Sequence, residues 1–244
     1  MTRALIHGAG RMAGRVLAIL PEFESYKLAG LVSRSPPEDQ PGISWFSSLE
    51  EFDGSADLLI DFTLPGGTRS AAQWCAHNKV ALLSGTTGLS EDDIEALEIA
   101  ALKVPVLWAP NLSFGVALIS SLVRQTAAAL GVSANVSVND IHHQHKIDAP
   151  SGTALALAKA VMEGRSDCLQ HPLSDDPGEV AFSSVREGEV VGEHTVSFVL
   201  ADEEIEITHR ALSREVFARG ALKAGEWLVG QGPGYYTTGD WLGL

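Results

Sequence analysis

The sequence is poor in cysteine and has no long apolar run. Its 244 residues include two cysteines, Cys75 and Cys168, which lie far apart without CxxC spacing. Neither a disulfide framework nor a zinc site is therefore expected. No apolar run reaches the length needed to cross a bilayer, and the opening MTRALIHGAG is more typical of a strand before a glycine turn than of a signal peptide. We expect a cytoplasmic protein that does not bind membranes.

Positive charge is also scarce, since 17 Lys and Arg stand against 31 Asp and Glu and give a formal net charge of −14. A nucleic-acid surface needs a basic face, so no nucleic-acid partner is expected. An anionic ligand would have to be met by a local group of cationic side chains. One such group is present, because HHQHK at 142–146 places three histidines and a lysine within five residues.

Short apolar runs alternate with helical patterns over the first 110 residues. The predicted strands are 3–8, 27–33, 56–63, 79–85 and 104–110, and the predicted helices are 11–20, 67–77 and 90–102. This alternation predicts a parallel sheet that is covered on both faces.

The pattern changes after a long predicted helix near 115–130. Alternating runs follow at 135–143, 180–186, 193–201 and 203–212, with a helix beginning near Gly152 and a polar loop at 165–178 between the first two. Such runs predict an antiparallel or mixed sheet. A final helix near 215–228 precedes a Gly/Tyr-rich tail. We predict an α/β protein with one domain over 1–113, completed by 214–244, and a second, α+β domain over 114–213.

A glycine turn follows the first strand. The stretch GAGRMA has the Gly8-x-Gly10-x-x-Ala13 spacing of a dinucleotide-binding fingerprint. Gly8 permits a tight turn, and Gly10 lets the backbone approach a pyrophosphate at the helix N-terminus. The predicted cofactor-binding residues here are Gly8, Ala9, Gly10, Arg11, Met12 and Ala13. The alternative is a glycine-rich turn without a ligand.

The end of the second strand indicates which nicotinamide cofactor is used. Ser33 and Arg34 stand where an NAD-preferring site carries an acid, and Glu38 lies beyond two prolines. A hydroxyl beside a guanidinium suits a 2′-phosphate. We therefore predict that NADPH is used at least as well as NADH. The alternative is that Arg34 is a solvated loop charge.

Three further strand ends are rich in glycine and hydroxyl residues: DFTLPGGT at 61–68, SGTTGLS at 84–90 and APNLSFGV at 109–116. Cofactors of doubly wound sheets lie at the carboxyl ends of the strands. We therefore also assign to the cofactor Gly85, Thr86, Thr87, Ala109, Pro110, Asn111 and Leu112. The alternative for each segment is a capped turn before a helix.

Seven motifs occur in order: GAGRMAGR, DFT, SGTTG, APNLSFGV, HHQHKIDAPSGTA, VREGEVVGEHTV and EITHRALSR. With them the chain resembles the dihydrodipicolinate reductase family over nearly its full length. The resemblance implies a Rossmann dinucleotide-binding domain completed by the C-terminal helix, and a central domain that binds a small dicarboxylate substrate and builds a homotetramer. It also implies reduction of 4-hydroxy-tetrahydrodipicolinate to tetrahydrodipicolinate by NAD(P)H, with loss of water, in lysine and diaminopimelate biosynthesis.

The same resemblance implies roles for individual residues. His142 would be the proton donor and Lys146 its catalytic partner, while the residues in contact with substrate would be His143, Gly152 and Thr153. The chain departs from many members at two positions, since Arg11 stands in place of a glycine and Ser33 in place of an acid.

The chemistry of a dianionic substrate fits the residues around HHQHK. A dianion needs nearby positive groups, and Ser151 begins a helix whose free N–H groups can hold a carboxylate. Histidine titrates near neutrality, so that His142 can deliver a proton, and the ammonium of Lys146 is expected to make it more acidic. Asp148 could orient Lys146 or cap the helix, and we expect the cap.

Other functions remain open at this point. HHQH suggests a metal site, but adjacent strand residues face opposite ways and a lysine repels a cation, so no metal is expected. A second alternative is that HHQH is a polar surface turn without a ligand. A dehydrogenase of a related amino or imino acid is disfavoured by the histidine–lysine signature, and a non-catalytic NADPH sensor has no need of a proton donor. The histidines expected to be structural are His7, His77, His194 and His209.

Overall fold

The structure is a computed structural model that describes residues 1–37, 42–167 and 180–244. Most of the predicted polar loop at 165–178 lies outside the described residues, as do Glu38 and Cys168. The described chain divides into two compact units. The first unit is Met1–Ser113 with Glu215–Leu244, and the second unit is Phe114–Arg214. No helix of the described residues is long and apolar enough to span a membrane.

The strands, in chain order, are β1 (Thr2–His7), β2 (Tyr26–Val32), β3 (Trp45–Phe46), β4 (Leu58–Asp61), β5 (Ala81–Ser84), β6 (Pro105–Trp108), β7 (Asn135–His142), β8 (Val180–Arg186), β9 (Gly192–Val199), β10 (Glu204–Ala211) and β11 (Gly234–Tyr236). The α-helices are α1 (Arg11–Ile19), α2 (Pro65–Asn78), α3 (Glu91–Ala101), α4 (Phe114–Leu130), α5 (Gly152–Ser166), α6 (Glu215–Val229) and α7 (Thr238–Leu242).

The first unit is built on a seven-stranded parallel sheet with the order β11-β6-β5-β4-β1-β2-β3. Successive residues of β4 enter different cores, because Leu58 and Ile60 pack with α1 and α6 while Leu59 packs with α2 and α3. A strand that is buried on both faces has to be apolar throughout, which explains the continuous runs in the sequence. The predicted parallel sheet is confirmed.

The second unit is a four-stranded mixed sheet with the order β10-β9-β7-β8. Strand β7 is antiparallel to β9 and parallel to β8. Alternate residues of β7, such as Val136 and Val138, are buried against α4 and α5, while the residues between them are more exposed. This alternation is that of a sheet with one covered face. The predicted mixed sheet is confirmed.

Candidate active site

The glycine turn between β1 and α1 has the geometry of an anion site. Gly8 has φ +103°, and a Cβ there would lie 2.6 Å from the carbonyl oxygen of Phe62. Gly10 is the N-cap of α1 without a side-chain cap, a Cβ on it would meet nothing within 4 Å, and the first turn has no acid. The free N–H groups and the positive end of the helix dipole are therefore open to a phosphate. The turn fits the pyrophosphate of a dinucleotide.

The other residues of this turn divide by exposure. Ala9 and Arg11 are exposed, whereas Ala13 is completely buried and Met12 packs partly buried against the same core. Ala13 therefore fixes α1 against the sheet. The turn offers a ligand its backbone and, beside it, the guanidinium of Arg11.

A buried carboxylate organises the neighbouring strand end. Asp61, the last residue of β4, is fully buried, and its Oδ1 lies 3.2 Å from Nδ1 of His7 at the end of β1. It accepts hydrogen bonds of 2.6 to 3.1 Å from four hydroxyls, those of Thr63, Thr68, Ser84 and Thr86. Burial raises the pKa of Asp61, but His7 and the hydroxyl donors outweigh it and hold the pKa below its ordinary value.

The predicted cofactor segments lie at one edge of the sheet. Backbone hydrogen bonds join neighbouring strand ends, from Phe62 N to His7 O at 2.9 Å, from Gly85 N to Asp61 O at 2.9 Å and from Ala109 N to Ser84 O at 3.0 Å. Since these strands are parallel, the glycine turn, residues 85–87 and residues 109–112 all follow carboxyl ends.

Within 85–87 the two threonines differ. Thr86 is buried and its hydroxyl is engaged by Asp61, whereas Thr87 is exposed. Gly85 packs so closely on the ring of Phe62 that a Cβ has no room. The segment therefore offers a ligand its backbone and the Thr87 hydroxyl.

The segment after β6 is also fixed by local contacts. Ala109 and Leu112 are buried and Pro110 is exposed, and the Asn111 side chain accepts a hydrogen bond of 2.9 Å from Ser113 N. Helix α6 packs Gly220 directly on the Leu112 carbonyl, where no Cβ fits. This helix from the end of the chain therefore sets the backbone of a predicted cofactor segment.

At the end of β2 the two predicted residues are placed differently. Ser33 is buried, and its hydroxyl donates to Ser35 O at 2.7 Å and accepts from Trp45 Nε1 at 3.0 Å. Arg34 is exposed. The Ser33 hydroxyl already has protein partners, so the Arg34 guanidinium is the group at this strand end that suits a phosphate.

In the second unit, β7 ends at His142 with a carboxylate beside it. His142 and Asp140 are both buried on the same side of the strand, and His142 Nδ1 lies 3.1 Å from Asp140 Oδ2. The same oxygen lies 3.2 Å from Nη2 of Arg186, at the end of β8, and the Ser184 hydroxyl donates to Asp140 Oδ1. Burial and then the charge of Lys146 lower the pKa of His142, while Asp140 opposes them.

The loop after β7 holds the predicted lysine. Lys146 Nζ donates to both carboxylate oxygens of Asp148 at 2.7 and 2.8 Å, and this hydrogen bond is the main reason for a lowered pKa of Asp148. The expectation that Asp148 caps α5 is wrong. Ser151 is the N-cap, and its hydroxyl accepts from Ala154 N at 3.1 Å. Asp148 lies too far before the first helical residue to reach that N–H, and its carboxylate pairs with the lysine.

The start of α5 is open in the way a carboxylate site requires. The first turn has no acid, and a Cβ on the exposed Gly152 would meet nothing within 4 Å. Thr153 and His143 are each half-buried, and the His143 ring centroid lies 6.2 Å from that of His145. The predicted substrate residues thus flank the loop between β7 and α5.

A histidine on β9 lies beside His142 in the structure. His194 lies opposite Asp140 in register, and its ring centroid is 5.0 Å from that of His142. Its Nε2 lies 3.2 Å from the Ser151 hydroxyl, and burial lowers its pKa to about 4. His209 on β10 lies opposite His194, and burial lowers its pKa too. That both histidines are structural stays a prediction, and the position of His194 on the buried face of an alternating strand is the sequence signal for its place beside His142.

The carboxylate and two imidazoles raise the question of a metal. Ligand atoms of Asp140, His142 and His194 lie within 4.8 Å of one another, a donor set that suits zinc. The guanidinium of Arg186 already lies on this carboxylate, and Lys146 adds a second positive charge near His142. Two neighbouring cations oppose a metal ion there. That no metal is bound stays a prediction.

The chain is similar to known proteins over nearly its full length. The family model for the N-terminus of dihydrodipicolinate reductase matches residues 2–112, and that for its C-terminus matches residues 115–242. A 4-hydroxy-tetrahydrodipicolinate reductase of Alkalilimnicola ehrlichii is 40% identical over 263 residues, covering 99% of this chain and 98% of that protein. One of Zymomonas mobilis is 39% identical over 249 residues, covering 98% and 96%.

The fold agrees with these sequence similarities. The solved structure of a dipicolinate-bound dihydrodipicolinate reductase from Paenisporosarcina sp. TG-14 superposes with a TM-score of 0.81 at 22% identity, and the match covers 97% of each chain. The N-terminal family model ends just before α4, and the C-terminal model begins within it. The two models therefore follow the same order as the motifs. The chain therefore belongs to the dihydrodipicolinate reductase family and is an NAD(P)H-dependent oxidoreductase of lysine and diaminopimelate biosynthesis.

Proposed function

We propose that this enzyme reduces 4-hydroxy-tetrahydrodipicolinate to tetrahydrodipicolinate, with loss of water, and that His142 is the proton donor and Lys146 its partner. The observation that carries the proposal is the grouping of His142, Lys146 and the acid-free start of α5 in one unit. In a protein with a formal net charge of −14, this grouping supplies the local positive charge and N–H donors that a dianionic substrate requires. The names of the relatives and the dipicolinate held by the solved reductase support a dicarboxylate.

Substrate binding rests on cationic and N–H donors. Lys146 has three donors on its ammonium, and Asp148, which holds it in the structure, is mostly exposed. A substrate carboxylate can therefore share or replace Asp148 as partner of the lysine. The backbone N–H of Gly152, at the acid-free start of α5, serves as a further donor, and Thr153 and His143 flank it.

The proton step follows from the electrostatics around His142. Its lowered pKa favours the neutral imidazole in the free enzyme at neutral pH. A bound dianion opposes the effect of Lys146, raises the pKa of His142 and thereby draws a proton onto the ring. When bound, the nicotinamide cofactor supplies the hydride. His142 then delivers the proton that the reduced product requires.

The cofactor would be held by the glycine turn, by 85–87 and by 109–112. We propose that NADPH is preferred and that NADH is also used, because Arg34 stands at the strand end that normally carries an acid for NAD. The exposure of Arg34 leaves its guanidinium accessible to a 2′-phosphate.

The function is tested by following the loss of reduced-nicotinamide absorbance. The substrate is made in situ from pyruvate and aspartate semialdehyde by the preceding synthase, and NADPH and NADH are run in parallel. We expect turnover with both cofactors, none without the synthase, and competitive inhibition by dipicolinate. Tight NADPH binding without turnover would favour the sensor function, and turnover only with a related amino or imino acid would favour the other dehydrogenase.

Replacing Arg34 with alanine is expected to lower kcat/KM for NADPH by about 10-fold or more, because a charge-assisted hydrogen bond contributes about 1.5–3 kcal/mol. The value for NADH should stay within about 2-fold, since NADH lacks the 2′-phosphate. Arg11→Ala is the control. A contact of Arg11 with the pyrophosphate would affect both cofactors alike. Equal losses for both cofactors in Arg34→Ala would contradict the assignment.

We also propose a homotetramer, as the resemblance implies. The outer face of the mixed sheet supports this, since exposed Val185 and Val199 lie on it beside small polar residues. Light scattering is expected to give about 104 kDa, the mass of four chains of 25.9 kDa. A mass of one chain at micromolar concentration would refute the proposal.

A further inference from the structure

We propose that Asp140 is a positioning residue that holds the Nδ1–H of His142, so that Nε2 is the ring nitrogen that takes up and delivers the proton. The inference rests on the proposed role of His142. Asp140 would touch neither substrate nor cofactor and would act through the imidazole alone. It would fix the tautomer and the direction of the ring.

The geometry pairs the imidazole of His142 with the carboxylate of Asp140. His142 Nδ1 and Asp140 Oδ2 are both buried, lie 3.1 Å apart, and neither forms an aligned hydrogen bond with any described residue. A buried polar atom without a hydrogen bond costs about 1–3 kcal/mol. A small rotation of the ring that points Nδ1–H at Oδ2 removes the penalty at the ring nitrogen, on an oxygen that already pairs with Arg186.

The carboxylate itself is held in place from β8. The Ser184 hydroxyl donates to Oδ1, and Arg186 Nη2 lies 3.2 Å from Oδ2. Burial raises the pKa of Asp140, but Ser184 and Arg186 outweigh it and keep the pKa below its ordinary value, so the group is ionised at neutral pH. An ionised carboxylate only accepts hydrogen bonds, so the facing Nδ1 has to carry the hydrogen.

The other ring nitrogen, Nε2, lies beside a residue that has no side chain. A Cβ built on Gly192, at the start of β9, would lie 3.0 Å from His142 Nε2. Because residue 192 is a glycine, it places no side chain against Nε2. With Nδ1–H committed to Asp140, neutral Nε2 carries a lone pair that can take up a proton from solvent and then release it to the product.

The charged and titratable groups around the ring come from five segments. Lys146 in the following loop and Arg186 on β8 oppose protonation, and Asp140 on the same strand favours it. His194 faces the ring from β9 with a pKa of about 4 and is therefore neutral at neutral pH, and His209 lies behind it on β10. Removing the charge of Asp140 should therefore make His142 harder to protonate.

The test compares Asp140→Asn with Ser184→Ala in protein labelled with ¹⁵N at histidine, and His142→Asn identifies the His142 signals. In the wild type we expect the Nδ1–H tautomer. In Asp140→Asn we expect a mixture of tautomers, a lower His142 pKa on titration, and kcat reduced by about 10-fold or more with little change in KM. Ser184→Ala removes one donor to the carboxylate but leaves Arg186 beside it, so the Nδ1–H tautomer should be kept and the loss of kcat should be smaller than in Asp140→Asn.

The outcomes separate this proposal from the proposed function. An Nε2–H tautomer in the wild type, or an unchanged tautomer and titration in folded Asp140→Asn, would overturn the role of Asp140. If Asp140→Asn does not fold, the tautomer of His142 in the wild type still tests whether Asp140 holds Nδ1–H. Full turnover in His142→Asn would instead remove the proposed proton donor, and the tautomer measurement, which needs no substrate, would still stand.

Discussion

Replacing His142 with asparagine is expected to lower kcat by about 10²- to 10⁴-fold, the range over which a positioned general acid accelerates reactions. Asparagine keeps a polar side chain of similar reach beside Asp140, so the buried carboxylate is not left facing an apolar group. It has no titratable nitrogen and cannot supply the proton. NADPH binding should be unchanged, because the predicted cofactor residues belong to the first unit. Steady-state turnover and a fluorescence titration with NADPH measure the two quantities.

Two companion variants make the result specific. His145→Asn removes an exposed imidazole of the same cluster and is expected to keep kcat within about 2-fold, since exposed substitutions away from the chemistry have small effects. Lys146→Met should mainly raise KM, because it removes a cation that faces a dianion. A kcat for His142→Asn close to that of the wild type would show that the proton comes from another group.

The long elements were predictable because their patterns span many residues. Each strand of the parallel sheet from β1 to β6 was expected, except β3, which has two residues. The Gly/Tyr-rich tail contains β11 and α7, and neither was predicted. β11 exists because three residues pair with β6, more than 120 positions earlier in the chain. α7 depends on a capping box between Thr237 and Asp240. Elements this short have no period to detect, and tertiary pairing or a cap stabilises them.

The candidate site was predictable where its chemistry is contiguous in the chain. The glycine turn, the HHQHK stretch and the start of α5 each carry their signal within a few residues. The neighbours of His142 could not be predicted in this way, because Arg186 and His194 lie beside it only through the register of β7 with β8 and β9. Register depends on which residues of distant strands meet, and one sequence does not specify it. The error at Asp148 has a local cause, since Asp and Ser are both favoured N-caps.

The Asp61 network was missed for the same reason. The DFT motif was noted in the sequence, but the hydroxyls that bind Asp61 come from residues up to 25 positions away. They meet only because β4 and β5 are adjacent and α2 begins beside them. A single acid at the end of an apolar strand was the available signal.

Replacing Asp61 with asparagine is expected to destabilise the protein by about 3–5 kcal/mol at neutral pH, the cost of removing one partner from a buried ionic network. The amide keeps one acceptor oxygen but adds an NH₂ donor toward hydroxyls that now donate to the carboxylate. His7 also loses the carboxylate that faces its Nδ1. Because Ser84 and Thr86 precede and follow Gly85, the 85–87 segment should shift and NADPH binding should weaken.

The stabilisation by Asp61 is expected to depend on pH. The pKa of Asp61 is lowered in the folded protein, so the ionised carboxylate stabilises the fold above its unfolded pKa of about 3.9, and this contribution is lost as the pH falls through the folded value. Asparagine does not titrate. The difference in unfolding free energy between wild type and variant should therefore be constant from pH 7 to about 5 and shrink below about pH 4.

Urea unfolding from pH 7 to 3 measures this difference, and Asp57→Asn is the matched control. Asp57 also has a lowered pKa, but it pairs with Arg3 where both side chains are partly exposed. Solvent screens such a pair, so its loss should cost at most about 1 kcal/mol. If Asp61→Asn costs no more than Asp57→Asn, the buried carboxylate does not hold the strand ends together, and the geometry of 85–87 must come from packing alone. A larger, pH-dependent cost for Asp61→Asn, with weaker NADPH binding, would tie the stability of the sheet edge to the cofactor site.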